Sequence, residues 1–347
     1  MTLLIGEWCI RRLVTHVVRQ ELSSQGGLLE ANPEFLIEYD GVNRRFVPNA
    51  KVVIKNHYVS GKDISISINS LGLRDDEIPT LKSADELRIL VLGDSITAAD
   101  YLPAEETFVK VLEHKLTQAL PTKAKVRVIN AGIGNTGTEE ALSLLREKVQ
   151  IIAPDIVLLA FYLNDSRPPW GFSGEIGNHG WLRRNSVLVA TAYRLLAEQN
   201  WISQQNVDRF AWIPAVESLN WKENESDFKK LTELAQYDWG AAWQDSAWMK
   251  TRQDFAKLKE ASKSYDFQVW IAALPVTFQL QTSFATDYPQ KKLSELSKEF
   301  GFGYVDTAEA LKQANPSALY FDHCHPNAQG NEVIAEVLAK ALTPALN

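Results

Sequence analysis

Leu87-Arg88-Ile89-Leu90-Val91-Leu92-Gly93-Asp94-Ser95-Ile96-Thr97 is the stretch on which the fold turns. A short apolar run stopped by a glycine and a polar turn fits a buried strand ending in a loop. The same pattern repeats downstream. A helix is expected near Glu106 to Leu120, a strand over Val126 to Asn130 and a helix over Thr138 to Ile152. Strand Ile156 to Phe161 then leads into a loop carrying Asn164, and strand Phe267 to Leu274 comes only after a long insertion. A helix near Gln290 to Phe300, a short strand Gly303 to Asp306 and a final helix Asn327 to Leu342, opened by Pro326, complete the series. Strands alternating with helices argue for a parallel sheet with helices on both faces. In such sheets ligands bind beyond the carboxyl ends of the strands, where Ser95, the Gly134-Asn135 turn and Asn164 all fall.

Four blocks carry chemistry. Gly93-Asp94-Ser95-Ile96-Thr97 follows the first strand, Asn130-Ala131-Gly132-Ile133-Gly134-Asn135 the second and Asn164-Asp165 the third, while Asp322-His323-Cys324-His325-Pro326 precedes the last helix. A serine hydroxyl is a poor nucleophile until a base removes its proton, and imidazole is the side chain suited to do so near neutral pH. His325 fits that role, and Asp322, three residues upstream, can fold back to its Nδ1 and fix the tautomer. An oxyanion needs donors aimed at it, and the chain offers the Ser95 N–H, a backbone N–H from Gly134 or Asn135, and the Asn164 amide. Other readings remain at this point. Asp322 and His325 could cap the final helix, His323 could be the base although it would tend to point away, and Asn164-Asp165 could be a plain turn. Asp94 and Thr97 are expected to cap the turn after the first strand, and Cys324 to be a small packed side chain.

The order and context of these blocks, over about residues 86 to 342, resemble the SGNH hydrolases, also called GDSL esterases. The resemblance implies a flavodoxin-like three-layer α/β/α sandwich with a central parallel sheet. It also implies a catalytic triad of Ser95, Asp322 and His325, with Asn164 as an oxyanion donor. One block departs from the family pattern: Asn135 stands where the oxyanion glycine is usual, with Gly134 just before it. Asn tolerates a left-handed backbone better than most residues, so the role can survive, with either residue supplying the N–H.

Composition agrees with an enzyme-sized globular protein: 347 residues, 45% of them hydrophobic. The net charge of -7 and the lack of a basic run argue against nucleic acid as a partner. Cys9 and Cys324 are the only cysteines, and the six histidines show no metal-binding spacing, so neither a disulfide framework, a metal nor a cofactor is expected.

Two segments stand outside the sandwich, residues 86–347, in this reading. Residues 166–250 form a helical insertion with eight of the ten tryptophans, which could cover the site and stack on a sugar ring or acyl chain, or simply build the core of a cap. The run Asp238 to Trp243 is its most pointed part. Residues 1–85 are an N-terminal extension, an amphipathic helix and then an extended stretch from Ala50 to Ile68, ending in Asn69-Ser70-Leu71-Gly72-Leu73-Arg74-Asp75. Glu7, Arg11, Arg12 and Arg19 interrupt the apolar residues of Met1 to Leu22 well short of the ~20 that a bilayer span requires. That helix reads either as one packed on the protein or a membrane surface, or as the inner end of a signal anchor, which would make the protein extracytoplasmic. The expectation is a serine esterase acting on a short acyl ester, such as acetyl, of a small molecule or carbohydrate. An O-acyltransferase with the same nucleophile and a non-catalytic envelope or carbohydrate-binding protein are the alternatives.

Overall fold

The computed structural model describes residues 5–9, 28–30, 37–39, 44–120, 125–134, 136–166, 186, 188, 189, 192 and 210–346. The strands are β1 (Leu28–Glu30), β2 (Ile37–Tyr39), β3 (Arg44–Phe46), β4 (Lys51–Lys55), β5 (Ile64–Ser67), β6 (Glu86–Gly93), β7 (Lys125–Gly132), β8 (Ile156–Tyr162), β9 (Gln268–Leu274) and β10 (Gly303–Asp306). Every residue of β6 and β8 is buried, which is why both read as unbroken apolar runs in the sequence. Ile89, Leu90, Val91 and Leu92, at 0–1% exposure, each contribute about 1.5–3 kcal/mol by leaving water.

β6 to β10 form one parallel sheet in the order β10-β9-β8-β6-β7. The first of the five sits inside, the second at an edge, and the chain then reverses to build outward from the other side. That is the flavodoxin-like order, with its topological switch point between β6 and β8.

Two helix layers cover the sheet. Helix α1 (Ser95–Ala98) is a single turn after β6, and α2 (Phe108–Ala119) is capped by the Thr107 hydroxyl, which accepts from the Lys110 N–H. Helix α3 (Thr138–Ile152) has the bounds expected from its periodicity, and the Glu140 side chain accepts from the Gly137 N–H at its start. In the insertion lie α4 (Trp212–Ser218) and α5 (Glu225–Leu234). Next come α6 (Trp248–Tyr265), α7 (Thr277–Leu280), α8 (Tyr288–Phe300), α9 (Ala308–Gln313) and α10 (Ala328–Leu346). α2 packs with α10 on one side, and α3 with α6, which also touches α8, on the other.

Asn331, fully buried in α10, accepts from the Phe108 N–H at 2.8 Å and donates to the Pro326 carbonyl at 2.9 Å, so the last helix is pinned to the start of α2. Pro326 does not open that helix. It pairs with Tyr320 in a short bridge, and the helix begins two residues later behind Asn327, whose Oδ1 accepts from the Gly330 N–H.

β1, β4 and β5 make a small antiparallel sheet, and β2 pairs with β3. Val52, Ile54, Ile64 and Ile66 point from β4 and β5 into the main core. Residues 5–9 are helical, with Ile5 and Trp8 exposed, and residues 10–22 of the expected amphipathic helix lie outside the described residues. Among the described residues no helix is long and apolar enough to cross a membrane.

Candidate active site

The nucleophile candidate is presented by a turn that only glycines permit. In the register of the sheet Gly93 pairs with Gly132, so Ser95 and Gly134 each lie two residues beyond one aligned pair, and β8, whose end leads into the turn bearing Asn164, aligns Leu159 with Leu92. A Cβ on Gly132 would lie 2.3 Å from the Ala98 nitrogen, and one on Gly93 would lie 2.2 Å from Thr97 Oγ1. Both positions therefore let α1 sit directly on the strand ends. Asp94 caps this turn, its Oδ1 accepting from the Ile96 N–H at 2.9 Å. Thr97, expected to share that role, instead buries Oγ1 against Gly93 with no hydrogen-bond partner among the described residues. From Gly93 to Ala99 every residue except Ser95 is buried. The turn exposes one side chain, and it is the hydroxyl.

Ser95 Oγ lies 3.1 Å from His325 Nε2, and His325 Nδ1 lies 2.7 Å from Asp322 Oδ2. The other carboxylate oxygen, Oδ1, accepts from the backbone N–H groups of Cys324 and His325, both at 2.8 Å. Asp322 therefore folds its own loop and holds the ring at once. The capping alternative fails, because Asn327 caps the final helix. Because Nδ1 faces a carboxylate, it carries the proton in the neutral ring, leaving Nε2 as acceptor toward the serine. Tyr101 packs edge-on against His325 at 4.9 Å between ring centroids.

The electrostatics follow from this geometry. Burial pushes the His325 pKa down, but the hydrogen bond and charge of Asp322, with Asp94 and Asp100 behind, outweigh it and leave the ring more basic than an ordinary histidine. Burial likewise raises the Asp322 pKa. The bond to His325, the charges of both histidines and the Cys324 N–H reverse that and hold the carboxyl well below the usual carboxylate range.

His323 points the other way. Its ring meets Trp212 edge-on at 4.7 Å and stacks on Phe278 at 6.1 Å, and its Nδ1 is 4.0 Å from Asp322 Oδ1. Cys324 is buried with Sγ 3.4 Å from His325 Nδ1, and burial with the charges of Asp322, Asp94 and Asp238 keeps it a neutral thiol. Asp322, His323 and Cys324 bring three donor atoms within 4.8 Å of one another. The carboxylate is already committed to three hydrogen bonds and the thiol is neutral, a poor donor set for a cation.

Gly134 lies beside the serine: a Cβ built on it would be 3.8 Å from Ser95 Cβ. Asn135 lies outside the described residues. Asn164 is half-buried in the 3₁₀ turn Leu163–Ser166, which the Asp165 carboxylate and the Ser166 hydroxyl pin to Tyr162 and Leu163. The structure thus gathers Ser95, Asp322 and His325 into hydrogen-bonding contact, puts Gly134 next to them and Asn164 on the adjoining strand end.

No family model and no curated protein matches the chain. Solved structures similar to it include Axe2, an acetylxylan esterase from Geobacillus stearothermophilus, at 15% identity and a TM-score of 0.43, covering 76% of this chain and 96% of that one. They also include LAE5, an alpha/beta hydrolase enzyme from the metagenome of Lake Arreo, at 15% identity and 0.41, covering 75% and 96%. The psychrotrophic esterase EstA from Pseudoalteromonas sp. is similar at 16% identity and 0.42, covering 75% and 98%. Likeness this loose leaves the reading of the site to the chain's own geometry.

The insertion takes the plainer of its two expected roles where it is described. Trp212, Trp221, Trp239 and Trp248 are buried, with Trp239 at 0% exposure, and Trp212, Trp221 and Trp239 all contact Phe278. Trp239 has no face left for a ligand. Trp243 keeps partial exposure and donates to the Thr286 hydroxyl. Trp170, Trp181 and Trp201 lie outside the described residues.

Proposed function

We propose that this chain is an SGNH-type serine ester hydrolase that acts through an acyl-enzyme on Ser95. The observation that carries the reading is the continuous chain from Ser95 Oγ through His325 to Asp322, at 3.1 and 2.7 Å, built on the one half-buried residue of an otherwise buried turn. Ser95 Oγ attacks the ester carbonyl while Nε2 takes its proton, and Asp322 stabilises the imidazolium that results. The imidazolium returns the proton to the leaving alcohol. Water, activated by the same nitrogen, then releases the acid and restores the serine.

As the first residue of α1, Ser95 has a backbone N–H with no intrahelical partner, which makes it one donor to the oxyanion. The N–H of Gly134 or Asn135 and the Asn164 amide are the others, and among the described residues that amide makes no competing hydrogen bond. The substrate we infer is a short acyl ester, such as acetyl, of a small alcohol or carbohydrate.

Turnover of p-nitrophenyl esters of increasing chain length and of acetylated sugars, with Ser95→Ala as blank, tests this. Activity falling from acetyl upward and lost by about a million-fold in kcat in the variant is the expected result. An organophosphonate adduct on any other residue would overturn the nucleophile. Acyl transfer to a sugar alcohol in preference to water would recast the enzyme as a transferase.

A further inference from the structure

Residues 69–76, on the N-terminal side of the sandwich, run into the site. Asn69 Oδ1 accepts from the N–H groups of Leu71 and Leu73, both at 3.0 Å, and its Nδ2 donates to the Asp76 carbonyl at 2.9 Å. Gly72 takes φ +75° with the Phe46 carbonyl 3.0 Å from where a Cβ would be, so the turn is closed tightly. Two adjacent residues leaving it then grip the nucleophile turn. Arg74, 4% exposed, donates from Nη1 to the carbonyls of Ala98 and Ala99 and from Nη2 to that of Leu102, each at 2.5 Å. Asp75 Oδ2 accepts from the Asn130 N–H at 2.7 Å, and the Asn130 side chain donates to the Thr97 carbonyl at 2.8 Å. Lys110, 2.7 Å from Asp75 Oδ1, neutralises the carboxylate.

A four-residue helix cannot hold itself, since nucleation is unfavourable and its last carbonyls have no intrahelical partner. Here those carbonyls belong to Ala98 and to Ala99, which reverses the chain at φ 45° and donates its N–H back to the Ser95 carbonyl at 2.8 Å. A planar guanidinium can serve three carbonyls from two nitrogens, whereas an ammonium cannot match that fan. Burying a cation is costly, and here the burial falls on the turn that carries the serine.

Taking Ser95 as the nucleophile, we propose that Arg74 is a positioning residue for it: by holding the carbonyls at the end of α1 it sets where Ser95 Oγ stands relative to His325 Nε2. The test compares wild type, Arg74→Ala and Arg74→Lys as full chains in p-nitrophenyl acetate turnover, in the rate of organophosphonate labelling of Ser95, and in both with added guanidinium chloride far below denaturing concentration. In Arg74→Ala, kcat should fall roughly 100-fold, the size expected when a reacting group is displaced by about 1 Å, with KM little changed. Labelling of Ser95 should slow in step. Guanidinium should restore rate where sodium chloride at equal ionic strength does not.

Should Arg74→Ala be recovered unfolded, Arg74→Lys carries the same comparison: a loss of kcat at unchanged KM with slowed labelling supports the proposal, and wild-type kcat overturns it. Variants whose kcat, counted per serine that organophosphonate can titrate, equals that of the wild type, or which guanidinium rescues no better than sodium chloride, overturn it too. If the wild type hydrolyses ester without labelling at Ser95, the nucleophile reading fails first and this inference with it. Normal wild-type labelling combined with normal labelling of both variants sinks the inference alone.

Discussion

Replacing Asp322 with asparagine isolates the charge of the base loop from its fold. The two backbone N–H groups of Cys324 and His325 bond to Oδ1 at 2.8 Å, and an asparagine carbonyl accepts both equally well, so the loop keeps its shape. What changes is the atom 2.7 Å from His325 Nδ1, where a carboxylate oxygen becomes an NH2 donor. The ring must then accept that hydrogen bond through the lone pair of Nδ1 and carry its proton on Nε2. That nitrogen can no longer take the proton of Ser95. A wrong tautomer in an otherwise intact triad costs about 10,000-fold in kcat, or about 5 kcal/mol of transition-state stabilisation, while the oxyanion donors go on supplying a residual rate. The pH profile moves as well. In the wild type the base works only when neutral, so kcat/KM falls as pH falls through a His325 pKa that Asp322 raises above about 6.5. Without that carboxylate, burial, which lowers the pKa, is the larger influence left, and the acidic limb of the residual activity should shift to lower pH. Initial rates with p-nitrophenyl acetate from pH 5 to 9, beside circular dichroism of both proteins, measure the two effects. A folded Asp322→Asn protein within tenfold of wild type, or one whose acidic limb stays in place, would refute the reasoning.

Three further outcomes are expected. His325→Ala should remove nearly all activity, whereas His323→Ala should keep much more and lose melting temperature instead, since that ring is packed between Trp212 and Phe278; the opposite ranking in kcat would reassign the base. Asn164→Ala should lower kcat roughly 100-fold with little change in KM, while Asn135→Gly should keep activity because a backbone N–H is wanted there, and steady-state kinetics on the pair would expose the reverse. Gly132→Ala places a methyl 2.3 Å from the Ala98 nitrogen, so it should cost about 1–3 kcal/mol in urea unfolding and slow Ser95 labelling, and a neutral result on both would show that α1 is free to move.

The sandwich was legible because its signal is local. Strands buried on both faces are written as apolar runs, and β6 and β8 fall within a residue or so of where those runs place them. The candidate triad was legible for a related reason: Asp322 and His325 meet across one short loop, and Ser95 follows directly from a strand. Helix α6 was not. Its buried face mixes Trp248, Phe255 and Leu258 with Thr251, Asp254 and Ser262, Asp254 being held by Lys250 and Lys257, so polar residues interrupt the hydrophobic stripe that would have marked it. Nor could Arg74 be foreseen, because a side chain that reaches carbonyls 24 to 28 residues away leaves no periodicity in the chain. For the tryptophans of the insertion the sequence left a ligand surface and the core of a cap both open, and the described members mostly pack against one another and Phe278.

Ser95 and His325 stand 230 residues apart, and the segment bearing the histidine is fixed only when Asn331 locks α10 onto α2. At translation rates of 5–20 residues per second, that separation is roughly 10–50 s of synthesis. A ribosome that has completed the first three strands of the sheet therefore carries a nascent chain with a serine but no base, chemically idle among the esters of the cell. On the proposed mechanism competence arrives only with the last helix, so the order of synthesis itself withholds activity until the segment bearing the base has been made.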